Sequence, residues 1–358
     1  MSNSIKIGKK IISKDSKPYF IADIGANHDG SLERAFQLIE LAKEAGADAA
    51  KFQNFQADKI VSNVGFSNLG GQLSHQAKWK KPVYEVYQDA SVSFEWTAKL
   101  KTKCDEVGIE YFTSPYDFES VDYVDPYVNL YKIGSGDITW IEIIDYIAKK
   151  NKPMLLATGA SDMDDVTRAM TALEKITSDI VLMQCNTNYT GDINNIRYAN
   201  LNVLSTYKEK FPDVILGLSD HTSGHSTVLG ATALGARVFE KHFTDDNYRE
   251  GPDHKFAMNP QTWREMVERA NEVYLAMGDG IKRVEDNEKE SAIVQRRSIR
   301  VKHDLNEGDI INENDIEVLR PIPQDGMPPY VINDVIGKRI KSEIKKGEHV
   351  TAIKLFYD

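Results

Sequence analysis

Cysteine is scarce in this chain: the 358 residues include only Cys104 and Cys185. Two cysteines are too few for a disulfide framework or for a zinc cage. Long apolar runs are also lacking, since none reaches the ~18 residues that a membrane-spanning helix needs. The first residues carry no apolar signal segment. We therefore expect a cytoplasmic protein that does not associate with membranes.

Positive charge is in deficit as well. The formal net charge of −10 argues against nucleic acid and anionic membrane surfaces as partners. An anionic substrate would therefore need local positive contacts rather than an attractive surface. Apolar residues make up 41% of the chain, which is enough for a sizeable core, and the length suits one large domain and one small one.

Eight apolar runs alternate with helical patterns along most of the chain. The runs are nearly continuous in apolar residues, which is typical of parallel strands covered on both faces. They occupy residues 19–27, 47–55, 109–117, 130–136, 153–160, 179–186, 214–222 and 236–244. Eight β/α alternations predict a closed (β/α)8 TIM barrel of the α/β class. A doubly wound open sheet is the alternative architecture.

The composition changes at the end of the barrel domain, for which we predict residues 1–278. Residues 279–292 are polar and charged, which is typical of a linker. The remaining segment, 293–358, contains an internal repeat, because VKHDLNEGDII (301–311) and IKSEIKKGEHV (340–350) share their apolar, lysine, acidic and glycine positions. Two copies of a strand–turn–strand element predict a small β domain with pseudo-twofold symmetry. A domain of this size is only marginally stable alone, so a docked or intersubunit role is expected.

The polar residues that end the eight runs are the candidate site residues, because the active site of a TIM barrel lies at the carboxyl ends of its strands. Together they would place cations, hydroxyls, carboxylates and two imidazoles on one rim. Residues with purely structural roles would instead be scattered over both faces of the barrel. The candidates include Asp23, Lys51, Gln53, Ser114, Lys132, Ser135, Asp137, Thr158, Thr187, Tyr189, Ser219, His221, Glu240, His242 and, further on, Asp253.

The mixture of groups on this rim predicts its chemistry. Lys51 and Lys132, with serine and threonine hydroxyls, can hold a phosphate or a carboxylate by charge-assisted hydrogen bonds. His221 and His242 come from adjacent strands and can converge on one divalent cation, leaving open positions for water and substrate. Without a thiolate, such a site favours Mn²⁺, Mg²⁺ or Co²⁺ over structural zinc. A pair of core histidines with satisfied hydrogen bonds is the alternative.

Six motifs resemble, in order and spacing, the sialic acid synthase family. They are IADIGANHDG, AGADAAKFQ, YKIGSGD, GLSDHT, FEKHFTDD and REGPDH. The closing segment, RRSIRVKHDLNEGDIINENDIEVLRP, resembles the antifreeze-like (SAF) β-clip domain of that family, so the resemblance covers nearly the whole chain. It implies an enzyme like N-acetylneuraminate synthase. Such an enzyme condenses phosphoenolpyruvate with an open-chain N-acetylmannosamine-type sugar, giving a nine-carbon 2-keto-3-deoxy acid and phosphate.

The resemblance also implies roles for the candidates. His221 and His242 would hold the divalent metal, with Mn²⁺ expected first and Mg²⁺ or Co²⁺ as alternatives. Asp23 and Asp137 would be the catalytic carboxylates, although the sequence does not assign the base between them. Arg320, in VLRP, would enter the partner subunit's barrel in a domain-swapped homodimer. The implied contacts of phosphoenolpyruvate are Lys51, Gln53, Lys132, Ser135 and Ser219, and those of the sugar are Tyr189 and Asp253. Lys132 is also an implied catalytic residue. Ser114, Thr158 and Thr187 are further expected substrate contacts.

The chain departs from the family pattern at several positions. Asp23 and Asp137 stand where the family commonly has glutamate, which shortens each carboxylate arm by one methylene. Ala157 stands where many members have a serine that contacts phosphate. The loop GFSNLGGQLSHQAKWKKPVYE, residues 65–85, is longer than the corresponding family loop, and the sugar-contacting asparagine cannot be placed in it. The motif CNTNYT leaves open which of its Asn and Thr residues faces the substrate.

Three alternatives remain open at the level of sequence. The acceptor is N-acetylmannosamine, a 2,4-diacetamido-6-deoxy hexose leading to a legionaminic- or pseudaminic-type acid, or another hexose such as mannose. A synthase acting on a phosphorylated sugar is a second possibility, disfavoured by the C-terminal domain and by the SDHT and KHF motifs. The two aspartates and Ala157 also allow a catalytically silent carbohydrate-binding protein.

Overall fold

Two units make up the computed structural model, residues 1–278 and residues 279–358. The structure describes residues 4–69, 71–73, 76–77 and 79–356. Among these residues no helix is long and apolar enough to cross a membrane.

The first unit contains a closed barrel of eight parallel strands. β3 to β10 pair in chain order and β10 closes on β3, while β1 and β2 form a separate antiparallel hairpin. The strands are β1 (Ser4–Ile7), β2 (Lys10–Ser13), β3 (Tyr19–Asp23), β4 (Ala49–Asn54), β5 (Glu110–Pro115), β6 (Tyr131–Ile133), β7 (Met154–Ala157), β8 (Ile180–Cys185), β9 (Ile215–Asp220) and β10 (Val238–His242). The predicted TIM barrel is thereby confirmed, and each of its strands lies within one of the eight predicted runs.

Helices cover the outside of this barrel and fill the connections between its strands. They are α1 (Leu32–Glu44), α2 (Ala57–Ile60), α3 (Asn63–Asn68), α4 (Val83–Ala90), α5 (Phe94–Val107), α6 (Phe118–Val124), α7 (Ile141–Ala148), α8 (Met163–Leu173), α9 (Val203–Lys210), α10 (Ser226–Ala233) and α11 (Pro260–Ala276). The β1–β2 hairpin, α6 and the short helices α2 to α4 between β4 and α5 were not among the predicted elements.

Local sequence signals fix several helix ends. The Ser31 side chain accepts a hydrogen bond from the Arg34 backbone N–H at the start of α1, and Asp162 and Asp165 form a capping box at the start of α8. Such caps satisfy N–H groups that have no partner inside the helix. Gly108 ends α5 with φ of +71°, a left-handed conformation that favours glycine. These capping residues therefore determine where the helices begin and end.

The second unit is a small β domain with its own core. Its elements are α12 (Lys289–Gln295), β11 (Ser298–Val301), β12 (Ile316–Leu319) and α13 (Ile332–Val335). α12 begins inside the segment 279–292 that we predicted as linker. The core of this unit is aliphatic and consists of Ile299, Val301, Leu305, Ile311, Ile316, Val335, Ile340, Ile344, Val350 and Leu355.

The two repeated segments of this unit pair with each other. Leu305 and Ile344, which are equivalent positions of the repeat, exchange both backbone hydrogen bonds at 2.9 Å. The bridges Arg300–His349 and Ile310–Arg339 are likewise counterparts under the repeat. The predicted pseudo-twofold symmetry is therefore confirmed.

Candidate active site

A cavity of about 640 Å³ opens at the carboxyl ends of the barrel strands. Seven of the predicted site residues line it: Gln53, Ser135, Asp137, Thr187, Tyr189, His242 and Asp253. Six others are buried inside the barrel: Asp23, Lys51, Ser114, Lys132, Ser219 and His221. The strand ends thus bring most of the predicted residues to one place, as the barrel geometry requires.

Two lysines, one serine and one glutamate meet inside the barrel, and we call this group the lysine cluster. Glu240 on β10 reaches across the interior, and its Oε1 lies 2.8 Å from Lys132 Nζ and 3.8 Å from Lys51 Nζ. Ser219 donates a hydrogen bond to the same oxygen at 3.2 Å. The other oxygen, Oε2, is buried and has no hydrogen-bond partner among the described residues. One internal carboxylate therefore holds three side chains that are predicted contacts of an anionic substrate.

Asp23 joins the lysine cluster to the histidines. Its Oδ2 lies 2.7 Å from Lys51 Nζ and 3.6 Å from His242 Nε2, and it accepts a hydrogen bond from Gln53 at 3.2 Å. This proximity follows from strand register, because His242, Asp23 and Lys51 are aligned on β10, β3 and β4. Burial favours the neutral acid, but the charges of Lys51 and His242 outweigh it and hold the pKa of Asp23 below its usual range. Asp23 is therefore a carboxylate at neutral pH.

Lys51 is correspondingly held in its charged form. Burial alone would lower its pKa, but the negative charges of Asp23 and Glu240 raise the pKa above its ordinary value. Lys51 is therefore a buried cation whose charge is balanced by the carboxylates of Asp23 and Glu240.

His221 and His242 face each other, with ring centroids 5.5 Å apart. The Nδ1–H of His221 donates to the Asn186 carbonyl oxygen at 2.9 Å, which leaves Nε2 as the lone-pair nitrogen. Burial, and then the neighbouring His242, lower the pKa of His221 to about 3, so this imidazole is neutral. The buried Nδ1 of His242 has no hydrogen-bond partner among the residues that the structure describes.

This histidine pair fits a cation that has only two protein ligands. An imidazole whose Nδ1–H is oriented by a backbone carbonyl is the arrangement that metal-binding histidines adopt. No group of three or more His, Cys, Asp or Glu side chains is placed to hold a metal ion in the described part of the chain. A cation held by these two imidazoles alone would keep coordination positions for water and substrate.

Asp137 occupies the opposite part of the cavity lining, after β6. Burial raises its pKa to about 6, so both its neutral and its charged forms are accessible near neutral pH. Two residues earlier, the Ser135 hydroxyl accepts a hydrogen bond from the Gly159 backbone N–H at 2.9 Å. A Cβ at Gly159 would lie only 2.4 Å from Thr187 Cγ2 and 2.9 Å from Ser135 Oγ. Glycine is thus required there for the close approach of these three segments.

Tyr189 and Asp253 lie beside the histidines. The ring centroid of Tyr189 is 4.2 Å from that of His221. Asp253 Oδ2 is 3.6 Å from His242 Nδ1 and accepts a hydrogen bond from the Ala26 backbone N–H at 3.2 Å. These two residues therefore present an aromatic hydroxyl-bearing ring and a carboxylate next to the proposed metal ligands.

One wall of the cavity is apolar and aromatic. It is formed by the end of β4 and by the segment that carries α2, α3 and α4. Its lining residues are Phe55, Ile60, Val61, Phe66, Leu69, Leu73, Trp79, Val86 and Tyr87. Part of the long loop at residues 65–85 forms this wall, although Gly70, Ser74, His75 and Lys78 lie outside the described residues.

Thr158, Ser114 and Arg320 are not in the cavity lining. The Thr158 hydroxyl bonds to the Met183 carbonyl at 3.0 Å and accepts from Tyr207 on α9 at 2.9 Å, so it is engaged with the helix layer. Ser114 is buried, and its hydroxyl has no partner among the described residues. Arg320 lies in the second unit, where it is exposed. The substrate-contact roles of these three residues stay predictions.

Glu240 was among the strand-end candidates but had no predicted role, and Tyr116 was not among the candidates. Glu240 stands two residues before His242, so strand alternation places both side chains on the same face, and that spacing was the available signal. Tyr116 follows β5 directly and lines the cavity. Its position at a strand end was visible in the sequence, but a tyrosine after a strand does not by itself indicate a site.

Fold and site together define a (β/α)8 barrel whose polar cluster lies where barrel enzymes carry out catalysis. A model of the NeuB family matches residues 38–282, and a model of the SAF domain matches residues 296–355. The chain therefore belongs to the NeuB family, and the resemblance to sialic acid synthases and to their SAF domain is confirmed.

Relatives and solved structures agree with this membership. The chain is 32% identical to the N,N'-diacetyllegionaminic acid synthase of Legionella pneumophila, covering 93% of this chain and 95% of that protein. It is 32% identical to the pseudaminic acid synthase of Campylobacter jejuni, with the same coverage of 93% and 95%. The crystal structure of the N-acetylneuraminic acid synthetase of Leptospira borgpetersenii, solved with citrate, superposes with a TM-score of 0.71 at 26% identity, covering 81% of this chain and 95% of that one.

Proposed function

We propose that the protein condenses phosphoenolpyruvate with the open-chain form of an N-acetylated amino sugar, forming a nine-carbon 2-keto-3-deoxy acid and phosphate. The observation that carries this proposal is the lysine cluster, in which Lys51 and Lys132 are buried beside a cavity that also contains paired histidines. Both ammonium groups converge on one carboxylate oxygen of Glu240, so they lie close enough together to contact the same anionic substrate. Phosphoenolpyruvate carries a carboxylate and a phosphate for these contacts.

Different residues would bind and orient phosphoenolpyruvate. Its anionic groups would be bound by Lys51, Lys132 and Ser219. These side chains contact Glu240 in the structure, and they would contact the substrate in addition. Ser135 and Gln53 would orient it from the cavity lining. Positioning of both reactants in one cavity contributes much of the rate, because it turns a bimolecular step into an intramolecular one.

A divalent cation, with Mn²⁺ expected first and Mg²⁺ or Co²⁺ as alternatives, would be held by His221 and His242. When bound it supplies a Lewis acid that polarises the sugar aldehyde. Tyr189 and Asp253, which lie beside these histidines, would orient the sugar.

The two carboxylates would act on the water that adds to C2 of the condensed intermediate. Asp23 is ionised and lies among cations, so it would orient that water or stabilise positive charge at C2. Asp137 takes up and releases a proton near neutral pH, as general acid–base catalysis requires. The shorter arms of these aspartates are accommodated by the local geometry of the cavity in this proposal.

Within the class of amino sugars, the apolar wall favours a 2,4-diacetamido-6-deoxy hexose over N-acetylmannosamine. Such a sugar carries two acetamido methyl groups and a C6 methyl, all of which gain from contact with Phe55, Trp79 and their neighbours. The relatives from Legionella pneumophila and Campylobacter jejuni, named as legionaminic and pseudaminic acid synthases, support this choice of acceptor.

Phosphate release with a panel of acceptors tests the proposal. Phosphoenolpyruvate is supplied with N-acetylmannosamine, its 6-phosphate, mannose, or 2,4-diacetamido-6-deoxy hexoses, before and after chelation and with metal added back. We expect acceptor-dependent release that chelation abolishes and Mn²⁺ restores, and that His221→Ala and His242→Ala lack while remaining folded. A protein that binds these sugars but releases no phosphate with any acceptor or metal would be the silent carbohydrate-binding alternative.

A further inference from the structure

The Tyr116 side chain lines the cavity. The residue follows Pro115 at the end of β5, and its ring packs edge-on against Phe55 with centroids 5.8 Å apart. The hydroxyl makes no hydrogen bond to any of the described residues, although the side chain lines the cavity. A phenol placed in this way has an O–H available for a ligand.

The position of this hydroxyl can be located relative to its neighbours. A Cβ built on Gly134 would lie 3.5 Å from the Tyr116 hydroxyl oxygen and 4.0 Å from Asp137 Oδ2. The hydroxyl and the carboxylate thus both lie within 4.0 Å of one point beside Gly134. Ser135 is a proposed contact of phosphoenolpyruvate, so Tyr116 belongs to the same part of the cavity.

The electrostatic surroundings keep Tyr116 protonated. Burial, and then the negative charges of Asp137 and Asp23, raise the pKa of the Tyr116 phenol well above its ordinary value. Two carboxylates near an anionic substrate group would repel it, and a neutral O–H donor offsets that repulsion. On the other side of β6, the strand β7 ends in Ala157, whose side chain offers no donor.

We propose that Tyr116 is a further catalytic residue, whose hydroxyl donates a hydrogen bond to the phosphate group of phosphoenolpyruvate. The proposal rests on the proposed function of the cavity. When the bond between C2 and the phosphate oxygen breaks, its electron pair stays on that oxygen. Tyr116 keeps its proton throughout and stabilises the charge that builds up on the phosphate.

The test compares Tyr116→Phe with the wild-type protein in binding and in turnover. Calorimetric titration with phosphoenolpyruvate alone, and with inorganic phosphate as a second probe, measures the contact without the sugar. We expect both dissociation constants to rise about 10-fold, the range for losing a hydrogen bond to a charged group. The kcat/KM for phosphoenolpyruvate should fall by at least that factor, while the KM for the acceptor stays within about twofold, because the acceptor does not contact this hydroxyl.

Tyr146→Phe is the matched control, since it removes a hydroxyl that bonds to Asp122 on the outside of the same barrel. It should leave all these parameters unchanged. Unchanged phosphoenolpyruvate and phosphate binding in Tyr116→Phe, or a loss confined to the acceptor KM, would overturn the assignment. Failure of the wild-type protein to bind phosphoenolpyruvate would instead refute the proposed function.

Discussion

At the scale of a single residue, the ionisation of Asp137 should make the activity depend on pH. Its pKa of about 6 places its change of charge inside the range where enzymes are assayed. The kcat/KM profile of the wild-type protein should therefore show an inflexion near pH 6, and Asp137→Asn should lose that inflexion together with at least ~100-fold in turnover. An ascending limb would identify Asp137 as a base and a descending limb as an acid. A profile with the same inflexion in Asp137→Asn would assign the titration to another group.

The same carboxyl should weaken the fold at neutral pH. Because its folded pKa lies above the ordinary value of 3.8, the unfolded chain releases this proton first as pH rises. Stability therefore falls between about pH 4 and pH 6, and the loss is complete above pH 6. At pH 7.5 the free energy of unfolding of Asp137→Asn should exceed that of wild type by on the order of 3 kcal/mol, whereas at pH 4 the two proteins should unfold at similar denaturant concentrations. Equal stabilities at both pH values would contradict the burial of this group.

Glu240 holds the lysine cluster together, and its removal should affect both stability and binding. Glu240→Ala leaves Lys132 buried without its carboxylate partner, and breaking a buried pair costs about 3–5 kcal/mol. Glu240→Gln keeps an oxygen acceptor for Lys132 and Ser219, so it should lose less than half as much. Urea denaturation measures the stabilities, and phosphoenolpyruvate titration measures the site. Equal stability of Glu240→Ala and wild type would show that the lysines do not depend on this carboxylate.

At the scale of the element, successive side chains of β10 point to opposite faces of the barrel wall. The inward ones belong to the site, and the outward one stabilises the fold. Glu240 and His242 point into the barrel, whereas Lys241 between them forms a buried ion pair with Asp220 on the outer face. Asp220 also accepts hydrogen bonds from Thr222 at 3.0 Å and from Thr227 on α10 at 2.6 Å. This pair therefore joins the strands to the helix layer rather than to the cavity.

Lys241→Met should accordingly destabilise the protein without changing its site. The substitution leaves the Asp220 carboxylate buried with two hydroxyl donors and no cation, which costs about 3 kcal/mol. The KM for phosphoenolpyruvate and the kcat per folded molecule should stay at wild-type values. A change in KM comparable to that of Lys51→Met would place Lys241 in the active site instead.

The elements also show what the sequence could and could not predict. The eight barrel strands were predictable because strands buried on both faces have nearly continuous apolar sequences. The β1–β2 hairpin was not, because two four-residue strands in a charged segment leave too short a pattern. The strand-end rule located Asp23, Lys51 and the histidines. The convergence of Glu240 on Lys132 was hidden, because it depends on side chains that meet across the barrel from strands far apart in sequence.

At the scale of the whole molecule, the second unit bears on the oligomeric state of the protein. We propose a domain-swapped homodimer in which Arg320 reaches the partner subunit's barrel mouth. A mixture of Arg320→Ala and His221→Ala proteins tests this, because subunit exchange would combine one intact histidine pair with a wild-type Arg320 from the other chain. We expect each variant to be inactive alone and activity to reappear on mixing, towards a quarter to a half of wild type. Continued inactivity of a proven heterodimer would rule out insertion in trans.

The central claim is that this cavity joins phosphoenolpyruvate to an amino sugar with cleavage of the bond between carbon and the phosphate oxygen. Phosphoenolpyruvate labelled with ¹⁸O at its bridging oxygen tests it directly, with both products analysed by mass spectrometry. We expect one labelled phosphate for each acceptor consumed, and an unlabelled nine-carbon keto acid whose C2 oxygen comes from water. Label retained in the keto acid, or labelled phosphate released without acceptor consumption, would contradict this account of the protein.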